Sequence, residues 1–310
     1  MHILVTGGAG FIGSHLVEAF LKQNARVRVL DSFLTGKKEN LHSCEDQIEV
    51  IRGDVRDKEA VKHAVTGIDY IFHEAALKTV PESFDCPKDY NDVNIQGTLN
   101  LLEAAVQSKI KKFVYASSSS VYGDCTQHSW SETDRPQPIS PYGLSKLSGE
   151  QYGYIFQKNY GLPFIGFRYF NVFGPRQPEK DGYSPVIPKF ISSFLREEQP
   201  PIYGDGKQSR DFTYIDNVVL ANVLAIEYPK ICGVFNVGVG DSVDLLTIVD
   251  LLNVYFNKNI KPRHLSAKPG DVRMTQASLT DIKKQLNYQP SVHFQEGLKK
   301  TIAWIKDTFF

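Results

Sequence analysis

Short apolar runs and helix-spaced segments alternate along the first half of the chain. Residues 3–6 (Ile, Leu, Val, Thr) form an apolar run bounded by glycine, as a strand buried on both faces requires. Residues 14–21 place apolar side chains at helical spacing, and residues 26–30 read as a second strand ending at Asp31. The alternation continues with strand 48–51, helix 58–65, strand 68–72 and an amphipathic helix over 89–107. In that helix Ile95, Leu99, Leu102 and Val106 share one face. Asn94 interrupts its pattern, either as a surface residue or, the sharper reading, as a buried polar contact. Residues 113–116 predict the fifth strand, and Ser140 as N-cap with Pro141 at the first helical position starts a helix that Gly161 ends. Strand 162–168, helix 186–197, a strand and turn over 202–206, strands 212–214 and 235–238 and a terminal helix 294–309 complete the pattern. Strands alternating with helices predict an α/β fold with a doubly wound parallel sheet and helices on both faces.

The turn after the first strand carries Gly7, Gly8, Gly10 and Gly13, which fit both G-x-G-x-x-G and G-x-x-G-x-x-G. Such glycines permit a tight turn, close backbone approach to a pyrophosphate and close helix–strand packing. The required context is present, with a strand before and a helix after. Asp31 lies 18 residues beyond Gly13, near the expected ~20. Its carboxylate would accept from ribose hydroxyls and repel a 2′-phosphate, so the pattern predicts NAD rather than NADP. Asp54, at the end of the third strand, suits an adenine contact or, equally, a local Asx-turn. The small Ala75 and Ala76, at the carboxyl end of the fourth strand, fit a place where a cofactor passes closely.

Composition adds exclusions. The chain has 310 residues, 35 basic and 35 acidic side chains, and is 42% hydrophobic. Zero net charge offers no basic excess to neutralise nucleic-acid phosphates. Cys44, Cys86, Cys125 and Cys232 are scattered, so reduced buried thiols are expected rather than disulfides or a zinc site, and no metal is expected. No apolar run approaches a membrane span, and the expectation is a soluble cytoplasmic protein.

The candidate chemistry sits between the fifth strand and the next helix. Ser117, Ser118, Ser119 and Ser120 emerge at the carboxyl end of the strand, where the nicotinamide end of a dinucleotide should lie. Tyr142 and Lys146 are four apart, on one face of the helix that Pro141 opens. Bringing a phenol pKa from about 10 to near 7 requires roughly 4 kcal/mol. One ammonium about 4 Å away at an effective dielectric of roughly 20 supplies about that much.

These motifs, with Arg168-Tyr169-Phe170-Asn171-Val172-Phe173-Gly174-Pro175 and Arg210-Asp211-Phe212, resemble the extended short-chain dehydrogenase/reductase family nearly end to end. The resemblance implies a Rossmann-type sheet plus a smaller C-terminal substrate-binding α/β domain. The implied boundaries are 1–170 with about 211–240 for NAD, and about 171–210 with 241–310 for a nucleotide sugar. It is closest to the UDP-N-acetylglucosamine 4-epimerases related to UDP-glucose 4-epimerase. By that resemblance Tyr142 is the base on the sugar 4-hydroxyl and Ser118 hydrogen-bonds the same oxygen, with Ser117 and Ser119 as neighbouring candidates. Lys146 would hold the nicotinamide ribose and depress the tyrosine pKa.

The implied contacts of a tightly bound NAD are Gly7, Gly10, Phe11, Ile12 and Gly13 at the phosphates, and Asp31, Ser32, Gly36, Asp54 and Val55 at the adenosine. Ala75, Ala76, Lys78, Asn94, Ser117, Tyr142, Lys146 and Tyr169 complete them. The implied substrate contacts are Thr79, Ser118, Ser119, Tyr142, Asn171, Gln177, Val186 and Tyr203. Arg210 at the diphosphate, or in a salt bridge to Asp211 or Asp216, and Lys268, Asp271 and Thr275 complete that set.

Nucleotide-sugar 4,6-dehydratases of the family carry an Asp-Glu pair straight after the catalytic hydroxyl. Here Ser119 and Ser120 follow Ser118, so no carboxylate is available there for elimination or decarboxylation. The expected reaction is therefore C4 epimerisation of a UDP-hexose. Thr275 stands where a bulky aromatic excludes N-acetyl sugars in some relatives, which implies UDP-GlcNAc/UDP-GalNAc. Lys78 resembles the UDP-glucose type and leaves dual specificity open. The alternatives are another nucleotide-sugar enzyme of the same fold, a dehydratase, decarboxylase or reductase, and a non-catalytic NAD-binding regulator. The resemblance also implies a homodimer through the two helices flanking the serine strand. Gly149 and Gly153, one turn apart, would permit close helix approach there or pack on the protein's own core.

Overall fold

The computed structural model describes residues 1–124, 129–179, 185–266 and 273–309. Strand–helix alternation builds β1 (His2–Thr6), α1 (Phe11–Lys22), β2 (Arg26–Asp31), β3 (Ile48–Arg52), α2 (Lys58–Val65) and β4 (Tyr70–His73). Short helices α3 (Val80–Asp85) and α4 (Pro87–Tyr90) lead through a π-helical turn, Asn91–Gln96, into α5 (Gly97–Gln107). Then come β5 (Lys112–Ser118), α6 (Pro141–Tyr160) and β6 (Phe164–Tyr169).

The remaining chain forms β7 (Val172–Phe173), α7 (Val186–Leu195), β8 (Pro201–Tyr203), β9 (Ser209–Arg210), β10 (Thr213–Tyr214), α8 (Ile215–Glu227) and β11 (Gly233–Val237). It closes with β12 (Val243–Asp244), α9 (Leu245–Phe256), β13 (Arg263–Leu265), β14 (Met274–Thr275), α10 (Thr280–Leu286) and α11 (Phe294–Phe309).

Seven strands form one parallel sheet in the order β11-β6-β5-β4-β1-β2-β3. The order reverses between β1 and β4, which opens a crevice beyond their carboxyl ends. Apolar side chains of α2, α5 and α6 pack on one face, with Val61, Leu101, Leu102 and Phe156 among them. Those of α1 and α8 cover the other face, and that core runs on into the C-terminal elements through Ile187, Ile248, Ile282 and Ile302. Smaller sheets, β10-β7, β12-β9-β14 and β13-β8, give the C-terminal part its own α/β character.

Two local features set the site. The Ser140 hydroxyl accepts from the Gly143 amide at 3.0 Å, Pro141 occupies the first turn of α6, and Gly161 closes the helix at φ +69°. A Cβ on Gly149 would overlap the Tyr115 side chain, and one on Gly153 would overlap the Phe164 ring. Both glycines therefore seat α6 against β5 and β6 of its own sheet. The π turn arises where the Asn94 side chain leaves the helix pattern. Its amide oxygen accepts from the Leu77 amide at 2.8 Å, and its nitrogen donates to the Leu77 carbonyl (2.9 Å) and the Ser145 hydroxyl (3.0 Å).

Among the described thiols, Cys44 is buried, Cys232 half-buried and Cys86 exposed, so the expectation of buried thiols holds for the first and not for the other two; Cys125 lies outside the described residues. Among the described residues no helix is long and apolar enough to cross a membrane.

Candidate active site

A cleft runs across the carboxyl ends of β1, β2, β4 and β5. Gly7, Gly10, Phe11, Ile12 and Gly13 form its floor. Gly7 has φ +69°, and a Cβ on it would stand 2.7 Å from the Ala75 amide nitrogen. A Cβ on Gly13 would overlap the Gly7 carbonyl, whereas Gly8 faces Val29 in the sheet. The cleft-facing set is thus the G-x-x-G-x-x-G one, and it presents the first turn of α1 to an anion.

At the adenosine end, the Asp31 carboxylate accepts from the Ala9 amide (2.9 Å) and the Phe33 amide (2.8 Å). Burial raises its pKa, and these two donors oppose the rise. Ser32 and Gly36 lie beside it, and a Cβ on Gly36 would stand 2.7 Å from a carboxylate oxygen. A buried carboxylate with lone pairs left for ribose hydroxyls suits NAD and disfavours a 2′-phosphate. Asp54 forms the Asx-turn, accepting from the Arg56 amide at 2.8 Å while pairing with the Arg56 guanidinium at 2.7 Å. With Val55 it still lines the cleft.

The nicotinamide end holds Ala75, Ala76, Lys78, Ser117, Tyr142, Lys146 and Tyr169. Among the described residues, Asn94 is the one predicted cofactor contact that does not reach the wall; its amide is spent on Leu77 and Ser145, so it braces the loop from behind. Lys146 is buried, donates to the Ala116 carbonyl at 2.8 Å and lies 5.2 Å over the Tyr115 ring. The serines divide by strand alternation. Ser117 donates to Glu150, which holds Arg168 through bonds of 2.9 and 2.7 Å. The Ser118 hydroxyl faces the Tyr142 phenol and accepts from the Ser120 amide at 3.1 Å. Ser119 opens the 3-10 turn that follows.

The electrostatics differ from the expectation of a phenol depressed by Lys146. Burial pushes Tyr142 above its ordinary pKa; the Ser118 hydrogen bond pulls it back and the Glu74 charge pushes it further up. Glu74 is the carboxylate of the cleft that the sequence-predicted set lacks. It follows His73 at the end of β4 and accepts from the Tyr169 hydroxyl at 3.1 Å, which in turn accepts from Asn222 at 2.9 Å. The available signal was one acid placed directly before two small residues at a strand end.

Asn171, Arg210 and Thr275, none of which is among the residues lining this cleft, come together. Thr275 donates to Asn171 Oδ1 at 3.2 Å and stands in register with Arg210 across β14 and β9. The Arg210 guanidinium donates to the Ser209 carbonyl at 2.8 Å. The Asp211 carboxylate turns away to the amides of Val239, Gly240 and Ala277. Gln177 donates to the Val172 carbonyl, and its buried Oε1 has no donor among the described residues. Thr79 is held through its backbone by Tyr90, Val186 opens α7 and Tyr203 ends β8. Lys268 and Asp271 lie outside the described residues.

Comparisons with known proteins bear on the family and the fold. Residues 3–238 match the model of the NAD dependent epimerase/dehydratase family. The fold is similar to a UDP-N-acetylglucosamine 4-epimerase from Methanobrevibacter ruminantium M1 in complex with UDP-N-acetylmuramic acid (TM-score 0.95, 38% identity, 99% of each chain). It is similar to a UDP-glucose 4-epimerase from Thermotoga maritima with UDP-glucose (TM-score 0.94, 36% identity, 100% of each chain). A UDP-glucuronic acid 4-epimerase from Bacillus cereus, in complex with UDP-glucuronic acid and NAD, superimposes with a TM-score of 0.93 at 36% identity over 100% of each chain. With its glycine turn, Asp31 and the Ser118–Tyr142–Lys146 cluster, this chain belongs to the NAD dependent epimerase/dehydratase family.

Proposed function

We propose that the protein is a cytoplasmic UDP-sugar 4-epimerase acting on UDP-GlcNAc/UDP-GalNAc and, through a site that tolerates both, on UDP-Glc/UDP-Gal. The observation that carries this reading is the Ser118–Tyr142 contact beside the NAD cleft, with serines rather than acids following Ser118. Residues 1–170 with 211–240 hold NAD in this reading, and 171–210 with 241–310 hold the nucleotide sugar. Asn171, Gln177 and Arg210 serve sugar and diphosphate, the guanidinium through bidentate bonds. Threonine at 275 leaves room for an N-acetyl group.

When bound, NAD supplies the acceptor and donor of the C4 hydride and a positive ring charge that favours the phenolate. Tyr142 takes the O4 proton as the C4–H bond breaks, leaving a 4-keto sugar. Ser118 holds that oxygen by a hydrogen bond, while Lys146 fixes the ribose and offsets phenolate charge. The keto sugar presents its other face, and Tyr142 returns the proton to O4.

The test is incubation of purified protein with UDP-GlcNAc and no added NAD. UDP-GalNAc is the expected product, and no product even with NAD present would refute the reading. Glu74 favours a second reading, dehydration, because it puts a carboxyl in the cleft that the residues after Ser118 lack. That reaction would yield a 4-keto-6-deoxy sugar, seen by its alkaline absorbance, in place of the epimer. We further propose a homodimer through α5 and α6, with Leu144, Tyr154 and Ile155 of α6 exposed. A monomer by light scattering would overturn it.

A further inference from the structure

We propose that Glu74 is a positioning residue, the fixed counter-charge that keeps the buried Lys146 ammonium protonated beside Tyr142. The inference rests on the reading of Tyr142 and Lys146 as the proton-handling pair. Its geometry is independent of that reading. Glu74 is anchored rather than free: Tyr169 on β6 donates to it at 3.1 Å, and Asn222 on α8 donates to Tyr169 at 2.9 Å. Asn222 itself is fully buried and tied to the Val218 carbonyl at 2.8 Å. Three elements thus hold one carboxylate at the wall that Lys146 and Tyr142 also line.

Lys146 has one neutral acceptor, the Ala116 carbonyl, and an aromatic face at Tyr115. Neither carries formal charge, and an ammonium removed from water without a counter-charge loses its proton. Burial lowers the Lys146 pKa to about 8 against the opposing charge of Glu74, and burial raises Glu74 to about 7 against the opposing charge of Lys146 and the Tyr169 hydrogen bond. The titratable groups facing the pair are Tyr142 on α6, Tyr169 on β6, Tyr115 on β5 and His73 on β4. His73 is buried and held neutral, and Glu150, which acts on Tyr115, is engaged by Ser117 and Arg168, so Glu74 is the acid left to supply negative charge to Lys146.

During the reaction the phenolate charge of Tyr142 is discharged when it takes the O4 proton. A counter-charge that does not react keeps Lys146 charged in both halves of the cycle. Glu74, whose carboxylate accepts from Tyr169, fits that requirement.

The test is Glu74→Gln, which keeps the Tyr169 bond and removes only the charge. Lys146 is read directly, by NMR of protein labelled with 13C-lysine and assigned with Lys146→Met. Its titration midpoint is expected to fall by on the order of one pH unit. The alkaline limb of kcat should move down with it, while KM near neutrality changes less than about twofold, the split that separates charge from packing. Glu74→Asp, which withdraws the carboxylate by one methylene, should lower the midpoint by a smaller step and serves if the glutamine variant does not fold. An unmoved Lys146 midpoint in either variant overturns the proposal. A moved midpoint in a protein without epimerase activity upholds it and rejects the epimerase reading instead.

Discussion

Gly149 of α6 sits against the Tyr115 side chain of β5 so closely that a Cβ would overlap the phenol oxygen and ring. Tyr115 is fully buried and has no room to withdraw. Gly149→Val is expected to cost about 1–3 kcal/mol, the usual penalty of overpacking a filled core. Because Lys146 is one turn earlier on α6, the variant should also lose more activity than stability at 25 °C. Thermal unfolding and kcat, measured together, check both; an unchanged Tm would show that the helix can lift away freely.

Thr275 lies beside Asn171 and Arg210, two of the residues proposed to hold the nucleotide sugar. Thr275→Tyr should lower kcat/KM for UDP-GlcNAc by about tenfold or more and for UDP-Glc by less than about threefold. Purified enzyme that turns over only non-acetylated sugars, with this variant changing nothing, would remove the basis for the N-acetyl preference.

Lys112 is a buried lysine whose ammonium donates to the carbonyls of Ala225 (3.0 Å), Tyr228 (2.8 Å) and Ile231 (2.9 Å). It closes the last turn of α8 and the loop leading to β11, and burial lowers its pKa. Lys112→Met leaves those acceptors without their donor and should cost about 2–4 kcal/mol. Denaturant unfolding at saturating NAD measures it, and a loss below about 0.5 kcal/mol would contradict the role.

His73 bridges Thr6 (2.7 Å) and Thr98 (2.9 Å) in the interior. Burial, with a smaller push from Lys146, lowers its pKa to about 3. The unfolded chain, at about 6.5, binds the proton that the folded chain refuses. Stability is therefore fully present above pH 6.5 and falls by up to about 1.4 kcal/mol per unit as pH drops toward 3. His73→Gln, which can still bridge the two threonines, should flatten this slope between pH 6.5 and 4.5. An unchanged slope would move the acid sensitivity elsewhere.

Long periodic segments are legible in the residue pattern alone: helices 58–65 and 294–309 have the predicted bounds, and the parallel sheet follows from the alternation of strands and helices. The helix predicted over 89–107 begins earlier and contains a π turn, because Asn94 bonds the Leu77 backbone, a partner that apolar periodicity does not reveal. The different partners of Ser117 and Ser118 were not legible either, because Glu150, to which Ser117 donates, lies 33 residues on. Glu74 was hidden because its meaning depends on Tyr169, 95 residues away in sequence. The raised Tyr142 pKa was hidden likewise, since burial, its main cause, and the charge of Glu74 come from parts of the chain distant in sequence. Two-residue strands such as β9, β12 and β14 are too short for any periodicity to register.

The edge strand β11 pairs with β6 in register from Gly233–Ile165 to Val237–Tyr169, yet the chain makes it only after β7 to β10 and α8. On the ribosome, the large sheet therefore waits with a naked edge at β6 until β7 to β10 and α8 have been synthesised. A gene fragment stopping at residue 170 would expose that edge and invite edge-to-edge association. Recombination between relatives should accordingly succeed when a single parent supplies both flanks of the excursion.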